Sequence, residues 1–70
     1  MRRVRWAKVT GEESLDGYWW NEKRNKLAGI EGHTADGRIR YSIWGSNEWI
    51  PMDPISPVYF KSMFPTKRIE

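Results

Sequence analysis

The sequence predicts an all-β fold, either a small five-stranded antiparallel barrel or a strongly bent sheet. Short segments rich in aromatic and β-branched residues alternate with turn-forming residues, and no long stretch has the apolar spacing of a helix. The 70 residues are enough for one domain. Its core is expected to be thin, because a chain of this size buries only about 60% of its unfolded surface.

The first half of the chain provides three of the predicted strands. They span residues 2–9, 17–21 and 26–33. Glycine inside a strand indicates a bulge or a bulky neighbour lying across the backbone, so Gly29 and Gly32 mark one or the other in the third strand. The charged residues 22–26 carry no apolar stripe and predict a protruding turn rather than a helix.

The remaining strands form a hairpin over residues 38–52, in which Ser46 and Asn47 occupy the turn. Asp36-Gly37 is a second hairpin signal, because both residue types tolerate the positive φ of a type I′ turn. The turn at Ser46-Asn47 pairs Trp44 with Trp49, Ile43 with Ile50 and Tyr41 with Met52. The turn at Asp36-Gly37, taken as a two-residue loop, pairs Ala35 with Arg38, His33 with Arg40, Ile30 with Ile43 and Gly29 with Trp44.

Both registers assign the same two faces to the sheet. The core face receives Ile30, Thr34, Ile39, Tyr41, Ile43, Ile50 and Met52. The other face receives His33, Arg38, Arg40, Trp44 and Trp49. A slip of one residue would exchange the faces, so the prediction depends on this register.

Prolines at positions 51, 54 and 57 prevent the last strand from continuing. Residues 58–64 predict a single helical turn or an edge strand. Their apolar side chains are expected to close one end of the barrel, with docking to another protein as the alternative; they are Tyr59, Phe60, Met63 and Phe64. The tail, residues 65–70, is expected to be frayed.

The residue inventory argues against several function classes. One histidine, no cysteine and scattered carboxylates provide no nucleophile–base pair and no metal-ligand cluster, so we expect a non-enzymatic protein without a cofactor or metal. No apolar run resembles a signal peptide or a membrane span. We therefore expect an intracellular, cytoplasmic protein without a membrane partner.

The charged and aromatic residues point instead to binding. The net charge is +3, and five Trp with three Tyr exceed what a thin core can hide. Arginines that neutralise phosphates beside indoles that stack on bases are typical of nucleic-acid surfaces. The predicted nucleic-acid or partner-binding residues are Arg38, Arg40, Trp44, Trp49, His33, Arg2, Arg3 and Arg5. The alternative is that Trp44 and Trp49 form a cross-strand pair that only covers Gly29 and the C-terminal segment.

Two stretches resemble Tudor-like members of the SH3-like barrels. Residues 16–20, Asp-Gly-Tyr-Trp-Trp, look like the stretch that opens a Tudor second strand, and residues 41–57 are similar to the later Tudor segment. The resemblance covers about residues 15–57. It implies a five-stranded barrel with an aromatic cage that reads methylated Lys or Arg. The candidate cage residues are Tyr18, Trp19, Tyr41, Trp44 and Asn47.

Two functions therefore stay open. The first is a nucleic-acid-binding module, or a regulator that binds a nucleic-acid-associated protein, acting through the basic-aromatic face. The second is a protein-interaction module, either an aromatic-cage peptide reader or a small inhibitor that docks on a larger protein. The chain could act as a monomer, or as a dimer paired through the strand edge of residues 2–9.

Overall fold

The computed structural model describes residues 4–10 and 13–69. The fold is all-β, with six antiparallel strands in one sheet and one helix among the described residues. The strands are β1 (Trp6–Lys8), β2 (Tyr18–Asn21), β3 (Lys26–His33), β4 (Ile39–Gly45), β5 (Glu48–Pro51) and β6 (Thr66–Arg68), and the helix is α1 (Pro57–Met63).

The sheet does not close on itself into a barrel. Its strand order is β1-β6-β2-β3-β4-β5, so β1 and β5 form the two edges. The predicted barrel is therefore wrong as to closure and strand number, whereas the alternative of a bent antiparallel sheet is compatible with this topology.

The sixth strand comes from the segment that we expected to be frayed. Strand β6 lies between β1 and β2, where Thr66 pairs with both Lys8 and Trp20. Thr66 is 7% exposed. The local sequence does not predict a strand here, because the segment is short, polar and preceded by a proline. Formation of β6 depends on pairing with β1 and β2, which are distant in sequence. Its position decides which side chains of β1 and β2 become neighbours.

The β4–β5 hairpin has the predicted register. Trp44 pairs with Trp49 and Ile43 with Ile50. Ser46 and Asn47 have φ values of 51° and 63°, as a two-residue type I′ turn requires. The sequence predicts this turn correctly, because the turn depends only on residues next to one another in the chain.

The register predicted for β3 and β4 is wrong. The loop contains three residues, 35–37, and is closed by the Thr34 amide, which donates to the Arg38 carbonyl at 2.8 Å. Gly37 has φ 87°, as expected for the left-handed residue of a three-residue loop. His33 consequently pairs with Ile39 instead of Arg40.

A bulge then shifts the register a second time. It lies between Ile30 and Gly32, so that Gly29 pairs with Ser42 instead of Trp44. The three-residue loop and the bulge each shift the register by one residue. Because side chains alternate with a period of two, the two shifts together return the residues of β3 before the bulge to their predicted faces. Ile30 therefore lies on the core side, as predicted, although its strand partner is Tyr41.

Helix α1 covers one face of the sheet. Ser56 caps the helix, with its hydroxyl accepting from the Tyr59 amide at 3.2 Å, and Pro57 occupies the first turn, where a missing N–H costs nothing. The Phe60 ring meets Trp19 and Tyr41 edge-on at centroid distances of 5.3 and 5.2 Å. The buried apolar core consists of Trp19, Ala28, Ile39, Tyr41, Phe60 and Phe64. Residues 57–63 thus form a helix that is longer than the predicted single turn, and the edge-strand alternative is wrong.

Candidate functional site

The sheet face opposite α1 carries a row of side chains in register across all six strands. Cross-strand pairs join Lys8 to Thr66, Thr66 to Trp20 and Trp20 to Leu27, and β4 and β5 complete the row with Trp44 and Trp49. We call this surface the outer face. Because α1 packs on the core side, large aromatic side chains of the outer face stay accessible to solvent.

Five aromatic rings form a band on the outer face. Trp44 meets Trp49 edge-on at 5.3 Å, Trp49 stacks on Tyr18 at 5.9 Å, and Trp6 lies 6.3 Å from Trp20. The exposed fractions of Trp6, Tyr18, Trp44 and Trp49 lie between 39% and 42%, and Trp20 is half-buried. The aromatic band consists of Trp6, Tyr18, Trp20, Trp44 and Trp49.

Gly29 allows two of these rings to rest on the backbone. A Cβ at this position would lie 3.4 Å from ring atoms of both Tyr18 and Trp49. The interpretation of Gly29 as a site of close approach is therefore correct, but the neighbouring rings are Tyr18 and Trp49 rather than Trp44. Gly32 adjoins the bulge. Of the two predicted explanations for a glycine in a strand, the bulge therefore applies to Gly32 and the bulky neighbour to Gly29.

A pocket of about 300 Å³ opens beside the Tyr18 and Trp49 rings. Its polar groups are the Ser42 hydroxyl, on a side chain that is 2% exposed, and the Glu31 carboxylate, which accepts a hydrogen bond from that hydroxyl. The pocket is lined by Gly17, Tyr18, Gly29, Ile30, Glu31, Ser42 and Trp49. A second hollow of about 200 Å³ is lined by the same two rings with Trp6, Leu27 and Arg68, which connects the two parts of the band.

Basic side chains flank the aromatic band. The Arg68 guanidinium lies 5.9 Å from the Tyr18 ring centroid, within cation–π distance. Arg40 is exposed on β4, opposite Gly32, and Lys8 is exposed on β1. Arg40 and Lys8 lie near opposite ends of the face, where a polyanion crossing the sheet would meet both.

Arg38 lies at the tip of the β3–β4 hairpin, before β4 begins. Its Nε is 3.0 Å from the Asp36 carboxylate, and both side chains are more than half exposed. A hydrogen bond from Thr34, together with that from Arg38, lowers the pKa of Asp36 below its ordinary value of 3.8. Arg38 therefore already has an anionic partner within its own loop.

The structure brings together part of the predicted binding set. Arg40, Trp44 and Trp49 share the outer face. His33 instead lies on the core side, opposite Ile39, with Nε2 3.1 Å from the Leu15 carbonyl. Arg5 is exposed just before β1, and its carbonyl accepts from the Ile69 amide. The predicted Arg2 and Arg3 lie outside the described residues.

The five candidate cage residues are not brought together. Trp19 and Tyr41 are 0% and 5% exposed in the core, on the opposite side of the sheet from Tyr18 and Trp44. The Trp19 indole N–H donates to the Asp16 carbonyl at 2.8 Å. Asn47 is a residue of the β4–β5 turn.

Sequence reasoning missed Trp6, Trp20, Glu31 and Arg68 as members of this surface. Alternation along residues 18–20 was sufficient to place Tyr18 and Trp20 together and Trp19 on the other side. Trp6 and Arg68 had no such signal, because they reach the surface only through the insertion of β6.

Among the described residues, no three His, Cys, Asp or Glu side chains cluster in a way that could hold a metal ion. No helix in residues 4–10 and 13–69 is long and apolar enough to cross a membrane. Comparison of the chain with protein-family models, curated proteins and solved structures gave no match.

Proposed function

We propose that this protein is a non-enzymatic module that binds single-stranded nucleic acid through its outer face. The observation that supports this most strongly is the aromatic band. Four of its five rings keep about two-fifths of their surface exposed although each contacts another ring of the band. Exposing large aromatic surface in this way is costly unless a ligand covers it.

Unstacked bases are the ligand that suits such a band. Each base has a π-face, and stacking on an aromatic side chain contributes about 1–3 kcal/mol per base without strong sequence preference. The rings extend from β1 to β5, so a strand of nucleic acid crossing the sheet would meet several in succession. A duplex keeps its bases stacked and would not offer these faces.

The flanking cations suit the phosphates. Arg40 and Lys8 are exposed on the outer face, and the chain carries a net charge of +3. Binding should therefore weaken with added salt through release of counterions. The slope should be modest, because Glu22 and Glu31 line hollows on the same face.

A second candidate function is supported by the pocket beside Tyr18. Two aromatic rings and the Glu31 carboxylate are the groups that attract a methylated ammonium, by cation–π contact worth about 0.5–2 kcal/mol. This would agree with the Tudor-like resemblance, although only Tyr18 belongs to the set that the resemblance implied. A reader of this kind should distinguish a trimethyl-lysine peptide from its unmodified form.

Fluorescence anisotropy of labelled single-stranded and duplex oligonucleotides tests the proposal, at about 50 and about 200 mM salt, where phosphate-driven affinity changes strongly. We expect tighter binding of single strands, loss of affinity with salt, and weakening by about 5- to 150-fold in Trp49→Ala, the equivalent of one stacked base. Tyr59→Ala is the matched control, because Tyr59 is 58% exposed on α1, away from the outer face.

Thermal unfolding of both variants establishes that they are folded. Absence of oligonucleotide binding at low salt, or equal losses in Trp49→Ala and Tyr59→Ala, would contradict the proposal. Selective binding of the methylated peptide without oligonucleotide binding would favour the second function.

A further inference from the structure

The pocket beside Tyr18 carries an acidic group on a surface that we propose for a polyanion. The Glu31 carboxylate lies on the outer face with Tyr18 and Trp49, and it accepts from the buried Ser42 hydroxyl. A carboxylate repels phosphate, so Glu31 is not expected to contact the phosphate backbone of the nucleic acid. We call this hollow the Glu31 pocket.

Hydrogen-bond chemistry restricts which base suits the Glu31 pocket. An ionised carboxylate only accepts, and its two oxygens offer about four lone-pair sites, so the bond from Ser42 leaves room for two more donors. The Watson–Crick edge of guanine presents N1–H and N2–H₂ side by side. Adenine presents one donor beside an acceptor, cytosine one donor beside two acceptors, and thymine one donor between two acceptors. Only guanine satisfies both carboxylate oxygens without opposing an acceptor to them.

The remainder of the pocket fits a planar base. Its aromatic walls are Tyr18 and Trp49, and Gly17 and Gly29 contribute no side chain to fill it. Gly17 has φ 75°, a conformation that other residues rarely adopt. The volume of about 300 Å³ lies at the lower limit of small-molecule pockets, which suits one base more than a larger ligand.

We infer that the Glu31 pocket binds a guanine base of the single strand, with the Glu31 carboxylate accepting from N1–H and N2–H₂. The inference rests on the proposed function and adds sequence preference to it. The Ser42 hydroxyl has a positioning role, because its hydrogen bond fixes the carboxylate relative to the sheet.

The test compares oligothymidylates that carry one central guanine, hypoxanthine or adenine, by anisotropy at low salt. Guanine should bind about tenfold more tightly than adenine, as for a bidentate contact. Hypoxanthine, which lacks the N2 amino group, should be intermediate. This comparison needs no variant of the protein.

Two variants then locate the contact. Glu31→Gln should bring the guanine-to-adenine affinity ratio to about one, because an amide presents a donor towards the donors of guanine. Glu48→Gln should leave the ratio unchanged, because Glu48 pairs with Gly45 beside the β4–β5 turn and alternation along β5 places it on the opposite face from Trp49. Thermal unfolding verifies that both variants are folded.

The outcomes separate the inference from the function on which it rests. Salt-sensitive binding with equal affinity for guanine and adenine would overturn the guanine site and leave the proposed function intact. A guanine preference that survives Glu31→Gln would also overturn it. Tighter binding of a trimethyl-lysine peptide than of any oligonucleotide, lost in Glu31→Gln, would identify a cation site instead. Failure of every oligonucleotide to bind would overturn function and inference together.

Discussion

Tyr41 and Thr66 are buried in the sheet and each carries a hydroxyl group. Tyr41 is 5% exposed on the core face, where its ring meets Phe60 and Phe64 at 5.2 and 6.1 Å. Thr66 is 7% exposed in β6, and within the described residues its Oγ1 has no hydrogen-bond partner. We expect Tyr41 to make the free energy of unfolding depend on pH. We expect the buried hydroxyl of Thr66 to contribute little to that free energy.

Burial raises the pKa of Tyr41 above its ordinary value of 10.0, and Tyr59 and Asp53 add to the shift. The unfolded chain therefore loses this proton at lower pH than the folded chain does. The stabilising contribution is present below the unfolded pKa and is lost as pH rises above it. We expect the free energy of unfolding, measured with urea from about pH 8 to about pH 11, to fall less steeply in Tyr41→Phe than in the wild type. Parallel curves would contradict this account of Tyr41.

Thr66→Val should leave stability unchanged or raise it by about 1 kcal/mol, because it replaces an unsatisfied buried hydroxyl by a methyl group of similar shape. Thr66→Ala is the control, since it removes the hydroxyl but also leaves a cavity, and it should be less stable than Thr66→Val. Urea unfolding measures both differences. Destabilisation by more than about 1 kcal/mol in Thr66→Val would mean that the hydroxyl has a partner.

At the scale of elements, local turn chemistry separates what the sequence predicts from what it does not. The β4–β5 register was predictable because Ser46 and Asn47 occupy a two-residue turn with positive φ at both positions. The β3–β4 register was not, because Asp36-Gly37 is equally compatible with a three-residue loop, and the bulge after Ile30 has no distinctive residue apart from Gly32. Strand β6 depends wholly on non-local pairing.

Helix α1 is expected to contribute strongly to stability through one side chain. Phe60 is 0% exposed and contacts rings from β2, β4 and the end of α1. Phe60→Ala should lower the free energy of unfolding by about 3–5 kcal/mol, which is comparable with the total stability of so small a domain. Val58→Ala is the control on the same helix, because Val58 is 81% exposed and its truncation should change stability by less than about 0.5 kcal/mol. Similar effects of the two substitutions would show that α1 does not anchor the core.

At the scale of the whole molecule, two different surfaces cover the two sides of one thin sheet. The core side is closed by α1, and the outer face carries the aromatic band. The sequence was sufficient to predict that Arg40, Trp44 and Trp49 share a face, because alternation along β4 and the β4–β5 turn determine it. It was not sufficient to add Trp6 and Arg68, because only the strand order places β6 beside β2 and β1 beside β6.

The five tryptophans allow the central claim to be tested within one molecule. Trp6, Trp44 and Trp49 are about 40% exposed on the outer face, whereas Trp19 is 0% exposed and its indole N–H is bonded to the Asp16 carbonyl. Each tryptophan gives one indole N–H signal in a ¹⁵N–¹H correlation spectrum, and single Trp→Phe variants assign the signals. Trp19 therefore serves as an internal control for changes that spread through the fold.

The most direct measurement is the titration of ¹⁵N-labelled protein with a single-stranded oligonucleotide, followed through these indole signals. We predict that the signals of Trp6, Trp44 and Trp49 shift progressively and saturate, while that of Trp19 stays in place. Saturable shifts confined to backbone amides of α1 or of the turn between β2 and β3, residues 22–25, with the three outer-face indoles unmoved, would contradict the claim that the outer face binds nucleic acid.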